Sequence, residues 1–433
     1  MPRAAVADHL NLTLAALPPG ALVVGYSGGA DSSVLLHALA RNPLALARGL
    51  RAVHVDHALH ADSAAWSQHC RDVAAGLGVP IEVVRVDIAR DRGTGLEDAA
   101  RTARRGAFER VLARGEILVL AHHRDDQAET VLLKLLRGAG PEGLGGMRAL
   151  REFGAGLLWR PLLELPRAAL LDYAQEHRID GLDDPSNADT ALRRNFLRRE
   201  ILPRLRARWP DADVALAHSA GWARNAADFV DAEARRALAR LQGLDAATLA
   251  YRDWLNLHDA LRDPVLRLWL RGLGLDEPAH FHVAELERQL RDAEPDRLPC
   301  VRFGATELRR YRDLVYALRT PAPLAGAWQA EWDGRTLLAL PGGGELELAP
   351  PRQVLPPLTV RYRRGGERIR PAGTAHTREL RLLLQEAGTP PWLRARIPLV
   401  FRSDELIAVA DLFRSDTAVD LDLRFCLRRA DLA

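Results

Sequence analysis

Along the first third of the chain, short apolar runs alternate with longer stretches in which apolar residues recur every three or four positions. Residues 1–20 form a short amphipathic segment ending at Pro18-Pro19-Gly20. Residues 21–26 are apolar and partly β-branched, the pattern of a strand buried on both faces. Asp31 and Ser32 then open a helix carrying Val34, Leu35, Ala38 and Leu39 on its apolar side. Leu50 to His57 predicts a second strand, about 61–77 a helix, and Ile81 to Asp87 a third strand. A helix over about 96–114 carries Glu97, Arg101, Arg104 and Arg105, and Glu116 to Ala121 reads as a fourth strand. The helix after it is expected to bury Ala128, Val131, Leu132, Leu135 and Leu136, spaced i, i+3, i+4, i+7, i+8. Such alternation predicts the α/β class, a doubly wound parallel sheet that binds ligands at the C-terminal ends of its strands.

The pattern then changes twice. Gly138 to Gly146 is rich in glycine and predicts a loop mobile over the site. A strand-like run (Leu157 to Leu163), a helix (about 166–178) and an arginine-rich helix follow, the last with Arg193, Arg194, Arg198, Arg199, Arg204, Arg206 and Arg208. That helix is either a solvated face or a contact for phosphate backbone. Residues 213–320 read as helical, with Trp222, Trp254 and Trp269 expected in the core. From Pro321-Ala322-Pro323 onward short β-like runs continue, with a hairpin turn at Pro341-Gly342-Gly343-Gly344. The predicted division is a catalytic domain over 1–212, a helical domain over 213–320 and a small α+β domain over 321–433.

Composition narrows the class. The 433 residues are 48% hydrophobic, enough for two or three cored domains. No apolar run reaches the roughly 18 residues of a membrane span, and the first residues lack a signal peptide's basic start and apolar core. The three cysteines, Cys70, Cys300 and Cys426, fit neither a disulfide framework nor a Cys-x-x-Cys metal site. A cytoplasmic protein without a membrane partner is expected. Net charge is only +3, but Lys134 is the sole lysine, so the positive charge is almost entirely arginine. Arginine suits bidentate phosphate contacts and base stacking, although a GC-rich coding sequence also favours it.

Two stretches carry chemistry. Ser27-Gly28-Gly29-Ala30-Asp31-Ser32 joins a buried strand to a helix N-terminus, where amides converge, the dipole is positive and glycine admits a phosphate. Hydroxyls of Ser27, Ser32 and Ser33 add donors, and Asp31 suits a magnesium ion bridging phosphates. No lysine is present, so this is not a Walker loop. The second stretch is His122-His123-Arg124-Asp125-Asp126-Gln127-Ala128-Glu129-Thr130, directly after the fourth strand. Its carboxylates could be helix caps. Two histidines and two aspartates together at a strand's end suit catalysis or Mg²⁺ binding instead.

Ser27 to Ser32 resembles the Ser-Gly-Gly-x-Asp-Ser loop of the PP-loop ATP pyrophosphatases. Val55-Asp56-His57-Ala58-Leu59, residues 122–130 in full, Arg137-Gly138, Arg160-Pro161-Leu162-Leu163, Asp184-Pro185-Ser186-Asn187, Arg194-Asn195 with Arg198, and Pro390-Pro391-Trp392-Leu393-Arg394 extend the likeness. Together they resemble the tRNA(Ile)-lysidine synthetase family from residue 21 almost to the C-terminus. His60 departs from the family's usual arginine, and Arg381 stands where lysine is common.

The resemblance implies a ligase using ATP, Mg²⁺ and L-lysine on the wobble cytidine of a CAU-anticodon tRNA(Ile). The base would be adenylated at its C2 oxygen, then attacked by lysine to leave lysidine, AMP and pyrophosphate, switching codon reading from AUG to AUA. By the same likeness Ser27 to Ser32, His54 and Asp56 would bind ATP, and Asp31 with Asp126 would hold the metal. Asp31, His122, His123, Asp125, Asp126 and Arg198 would be catalytic. Glu129, Arg194, Asn195, Arg198, Arg363, His376, Trp392 and Arg394 would meet lysine or tRNA. A homodimer is left open. The rival readings are a 2-thiocytidine synthase, which commonly needs the paired cysteines absent here, and a non-catalytic tRNA- or nucleotide-binding protein.

Overall fold

The computed structural model describes residues 5–57, 62–86, 96–183, 185–243, 245–294, 297–320, 324, 328–341, 343–348, 357–419 and 421–426. Ala58, Leu59, His60, Asp87, Asp184, Pro321 to Pro323 and Gly342, named above, lie outside them. The chain divides into two units, Met1–Phe229 and Val230–Ala433.

In the first unit the elements run α1 (Ala5–Ala15), β1 (Leu22–Gly25), α2 (Ala30–Ala40), α3 (Pro43–Arg48), β2 (Leu50–Asp56), α4 (Ser63–Gly76), β3 (Ile81–Arg85) and α5 (Leu96–Val111). Then come β4 (Ile117–Val119), α6 (Arg124–Leu135), α7 (Pro141–Leu144), β5 (Leu150–Phe153), β6 (Gly156–Trp159) and α8 (Arg167–His177). The arginine-rich stretch is α9 (Arg193–Phe196), a π-helical turn (Leu197–Ile201) and α10 (Leu202–Arg208), before α11 (Ala212–Leu241).

The sheet has the order β3-β2-β1-β4-β6-β5. Every pairing is parallel except the β5–β6 hairpin at one edge. Because side chains alternate along a strand, β1 feeds both faces. Leu22 and Val24 pack with α1, α2, α4 and α8 residues such as Leu10, Leu35, Cys70 and Leu170. Val23 packs with Phe108 and Leu112 beyond the opposite face. The sheet is doubly wound as expected. Chain order reverses between β1 and β4, and ligands of such sheets bind in the crevice at that switch point.

Three expectations fail here. Leu135 and Leu136 are 55% and 75% exposed, lining an open apolar groove with Phe196, Ile201 and Leu205. The periodicity of α6 was real, but none of the described residues of this unit covers its far end. Trp222 is 76% exposed, because α11 buries Ala220 and turns the indole outward. The stretch from Gly138 to Gly146 contains α7 and is pinned: Arg224 Nη2 donates to the Gly145 carbonyl at 2.6 Å and to that of Met147 at 2.9 Å. Buried Gln127 accepts from Met147 N at 2.7 Å and donates to its carbonyl at 3.0 Å.

The second unit continues with β7 (Thr248–Ala250), α12 (Tyr251–Leu255), α13 (Asp259–Gly272), α14 (His280–Asp292), β8 (Cys300–Phe303), β9 (Thr306–Tyr311) and β10 (Leu314–Arg319). Trp254 and Trp269 are buried as expected. The helices, however, pack on an antiparallel sheet, β7-β10-β9-β8, which helical periodicity alone did not reveal. Beyond it lies a five-stranded sheet of Gln329–Trp332, Leu358–Arg361, Leu399–Arg402, Glu405–Val409 and Phe413–Arg414, with smaller sheets beside it. The turn before Gly344 closes a hairpin, Leu340 N donating to the Gly344 carbonyl at 3.0 Å.

Candidate active site

β1 delivers the loop at Ser27 to the start of α2. Gly28 has φ +82°, and a Cβ there would lie 2.7 Å from Leu182 Cδ1 and 3.0 Å from Cys70 Sγ, so only glycine fits. The Leu182 amide donates to the Gly28 carbonyl at 2.9 Å, holding a second segment against the loop. The hydroxyls of Ser27 and Ser32 lie 3.0 Å apart, and Ser32 Oγ donates to the Gly29 carbonyl at 2.9 Å. Gly29 caps α2 with no side chain, leaving the first amides of α2 without a side-chain acceptor. These groups form an anion cradle. His54 supports it from behind: its buried Nδ1 lies 2.9 Å from the Tyr26 carbonyl oxygen and 3.4 Å from Cys70 Sγ. Asp56 ends the neighbouring strand.

β4 brings the second cluster to the same edge. His123 caps α6 reciprocally: its amide donates to Asp126 Oδ2 at 3.1 Å, while its Nδ1 accepts from the Asp126 amide at 3.4 Å. The ring's Nε2 lies 3.6 Å from Asp31 Oδ2 and 3.4 Å from Asp126 Oδ2, joining the two motifs. Burial opposes the charge on His123, yet Asp31, Asp126 and Asp125 outweigh it and raise its pKa. Burial likewise opposes the Asp31 carboxylate, and His123, Arg167 and Arg198 overcome it and lower its pKa. For Asp126 the same contest, led by burial against His123 and His122, ends lower too. His122 behaves oppositely. Burial pushes it down to about 3; Asp126 resists, while Arg160, Arg194 and Arg101 add to the fall.

Glu129 is fully buried and binds two arginines from the segment after Leu192. Arg194 Nε donates to Oε2 at 2.9 Å, and Arg198 Nε donates to Oε1 at 2.6 Å. Arg198 Nη2 also reaches Asp126 Oδ1 at 3.1 Å. Asp125 is engaged by the protein on both oxygens, accepting from the Arg167 amide at 3.0 Å and from Arg206 Nη2 at 2.6 Å. The arginine-rich segment therefore divides. Arg194, Arg198 and Arg206 turn inward onto carboxylates of α6, while Arg193, Arg199, Arg204 and Arg208 are exposed. Asn195 is buried and donates to the Asp189 carbonyl at 2.9 Å, shaping the loop before α9.

In the second unit the remaining candidates separate. Trp392, on the short helix Pro391–Arg394, sits edge-on to Tyr311 and Tyr316, with ring centroids 6.1 and 5.4 Å away and the Arg309 guanidinium 5.3 Å from its own. Arg394 donates to the Thr389 carbonyl at 2.9 Å and to Tyr311 Oη at 3.3 Å. Both clamp this helix to β9 and β10. Arg363 lies 3.7 Å from buried Glu367, and His376 is exposed in a turn.

Comparison with known proteins bears on this geometry. The PP-loop domain description matches residues 3–205, the TilS substrate binding domain 249–316 and the TilS substrate C-terminal domain 358–422. The tRNA(Ile)-lysidine synthase of Xanthomonas campestris pv. campestris is 46% identical over 398 residues, 92% of this chain and 91% of the relative. The chain belongs to the tRNA(Ile)-lysidine synthase family. The synthase of Pseudomonas aeruginosa is 43% identical over 418 residues, covering 91% of this chain and 90% of that one. A crystal structure of a TILS C-terminal domain aligns with 23% of this chain and 97% of its own, at 25% identity and TM-score 0.20.

The Ser27–Ser32 cradle lies within the stretch that the PP-loop domain description matches. The residues also fit Mg²⁺. Asp31 Oδ1 is buried without a hydrogen-bond partner, although Arg167 Nε stands 3.5 Å away. Among the described residues no three His, Cys, Asp or Glu groups converge on one metal position. The unpartnered Asp31 Oδ1 suits an ion held by one or two carboxylates and substrate phosphates. Sequence reading assigned no role to Arg160 or Arg167, and read Arg206 only as part of a solvated or phosphate-contacting face, yet all three lie within this site. Their pairing joins residues tens of positions apart, and the one local signal was Arg160 in the Arg-Pro-Leu-Leu run.

Proposed function

We propose that this chain ligates lysine to C2 of the wobble cytidine in a CAU-anticodon tRNA(Ile), through an adenylated cytidine, with release of pyrophosphate and AMP. The observation that carries this reading is the meeting of the Ser27–Ser32 cradle and the His123–Asp126–Glu129 cluster through Asp31 and His123. It is supported by kinship to tRNA(Ile)-lysidine synthases along about nine-tenths of the chain. The hydroxyls of Ser27 and Ser32 and the first amides of α2 bind the triphosphate. Asp31 and Asp126 would hold Mg²⁺, which would supply charge neutralisation for the departing pyrophosphate. Glu129 fixes Arg194 and Arg198 in one orientation, so their remaining N–H donors meet substrate without reorganising. Residues 213–320 and 321–433, the two proposed domains after the catalytic one, serve tRNA binding. The proposal for His54, Asn195, Trp392 and Arg394 is indirect: they hold the framework that substrates contact.

The test incubates the full chain with ATP, Mg²⁺, radiolabelled lysine and a CAU-anticodon tRNA(Ile) transcript, and counts acid-stable label on the RNA. Incorporation that vanishes with a wobble uridine, and in Asp31→Ala, is the expected result. AMP formation only with another tRNA or a sulfur donor would overturn the substrate.

A further inference from the structure

At the C-terminal end of β6, Arg160 is buried, and among the described residues no carboxylate pairs with it. Its hydrogen bonds go to neutral acceptors. Nη1 donates to the Arg148 carbonyl at 2.8 Å, and Nε donates to His122 Nδ1 at 3.3 Å. The Arg160 amide also donates to the Ala149 carbonyl at 2.7 Å, so main chain and guanidinium are both tied to the start of the β5–β6 hairpin. A guanidinium only donates. Its contact with His122 therefore requires Nδ1 to carry a lone pair, and the neutral ring then bears its proton on Nε2. That second nitrogen has no protein acceptor among the described residues, which leaves its N–H for a ligand.

Burying an unmatched cation costs stability. A merely structural contact between β6 and the hairpin could be made by an uncharged side chain. We propose that Arg160 is a positioning residue that locks His122 in the Nε2–H tautomer, so that His122 serves the ligation as a neutral hydrogen-bond donor and not as a proton carrier. The inference rests on the function proposed above. The depressed pKa of His122 agrees with it, since a ring that does not charge near neutral pH cannot deliver a proton there.

Two measurements test it. Ring ¹⁵N spectra of the histidine-labelled full chain at neutral pH, with His122 assigned through His122→Gln, should show a bare Nδ1 and a protonated Nε2. In Arg160→Met the two tautomers should exchange and the signals converge. This measurement needs no substrate, so it judges the tautomer even if the lysine reading fails. In the incorporation assay, His122→Gln keeps an N–H near the Nε2 position and should retain kcat within about tenfold. His122→Ala should lose about 10²–10³-fold, the usual cost of one such donor. Arg160→Met and Arg160→Lys should both lower kcat with the KM for ATP unchanged, because neither supplies the fixed Nε donor. A proton on Nδ1 in the unaltered protein would overturn the proposal. So would His122→Gln falling as far as His122→Ala, or an Arg160 variant that raises the KM for ATP alone, which would mean direct phosphate contact.

Discussion

Gly28 and Gly29 are adjacent in sequence but do different work. At φ +82° and against Leu182, Gly28 cannot carry a side chain, whereas Gly29 has φ −73° and ordinary space for a Cβ, with Ser27 Oγ 3.6 Å away. Gly28→Ala should destabilise by roughly 1–2 kcal/mol from backbone conformation alone and raise the KM for ATP. Gly29→Ala should leave the unfolding midpoint in place. Equal denaturation curves for both variants would contradict this assignment. The Asp31–His123 pair gives a pH signature. Asp31 has a folded pKa below its ordinary 3.8, so its contribution is present above that value and lost as pH falls through the folded one. His123 is raised above 6.5, so its contribution is present below that value and lost as pH rises through the folded one. The pair therefore stabilises most between about pH 4 and 6.5. Denaturant midpoints of the metal-free protein and Asp31→Asn should differ more at pH 5 than at pH 9; a gap that does not narrow would refute the pairing.

Elements show which features local pattern can and cannot disclose. The strand ends bearing Ser27 and His122 were legible because buried strands, glycine turns and acidic helix starts are written within a few residues. The π-helical turn Leu197–Ile201, which accompanies the aim of Arg194 and Arg198 at Glu129, was not, since nothing local marks it. Nor could periodicity say that the apolar stripe of α6 outruns its cover at Leu135, or that β7 to β10 interrupt a helical stretch. Gly138 to Gly146 looked mobile by composition, yet its anchors are the distant Gln127 and Arg224. Removing one anchor should restore what composition promised. Gln127→Ala strands the buried amide of Met147, whose carbonyl keeps Arg224, and should cost about 1–3 kcal/mol. Limited proteolysis within 138–146 should accelerate with it; unchanged cleavage there would show that Arg224 suffices.

For the whole molecule, net charge says little and placement says more. Arg193, Arg199, Arg204 and Arg208 stay exposed, while Arg194, Arg198 and Arg206 of the same segment turn inward onto carboxylates. Outward arginines of this kind bind phosphate with counterion release. Raising salt from 50 to 200 mM should raise the KM for tRNA by roughly tenfold even if only two phosphates are engaged, while the KM for ATP moves far less. Parallel shifts of both constants would place the salt effect in the ATP cradle. Among the described residues no helix is long and apolar enough to cross a membrane.

The single lysine has its own consequence. Lys134 is exposed in the last turn of α6, eight positions after Asp126, about 12 Å along a helix rising 1.5 Å per residue. In the ligation proposed above, the activated base would be open to any ε-amino group within reach. With arginine, which stays protonated, in almost every cationic position, the chain would offer such an intermediate a single ε-amino group of its own, that of Lys134.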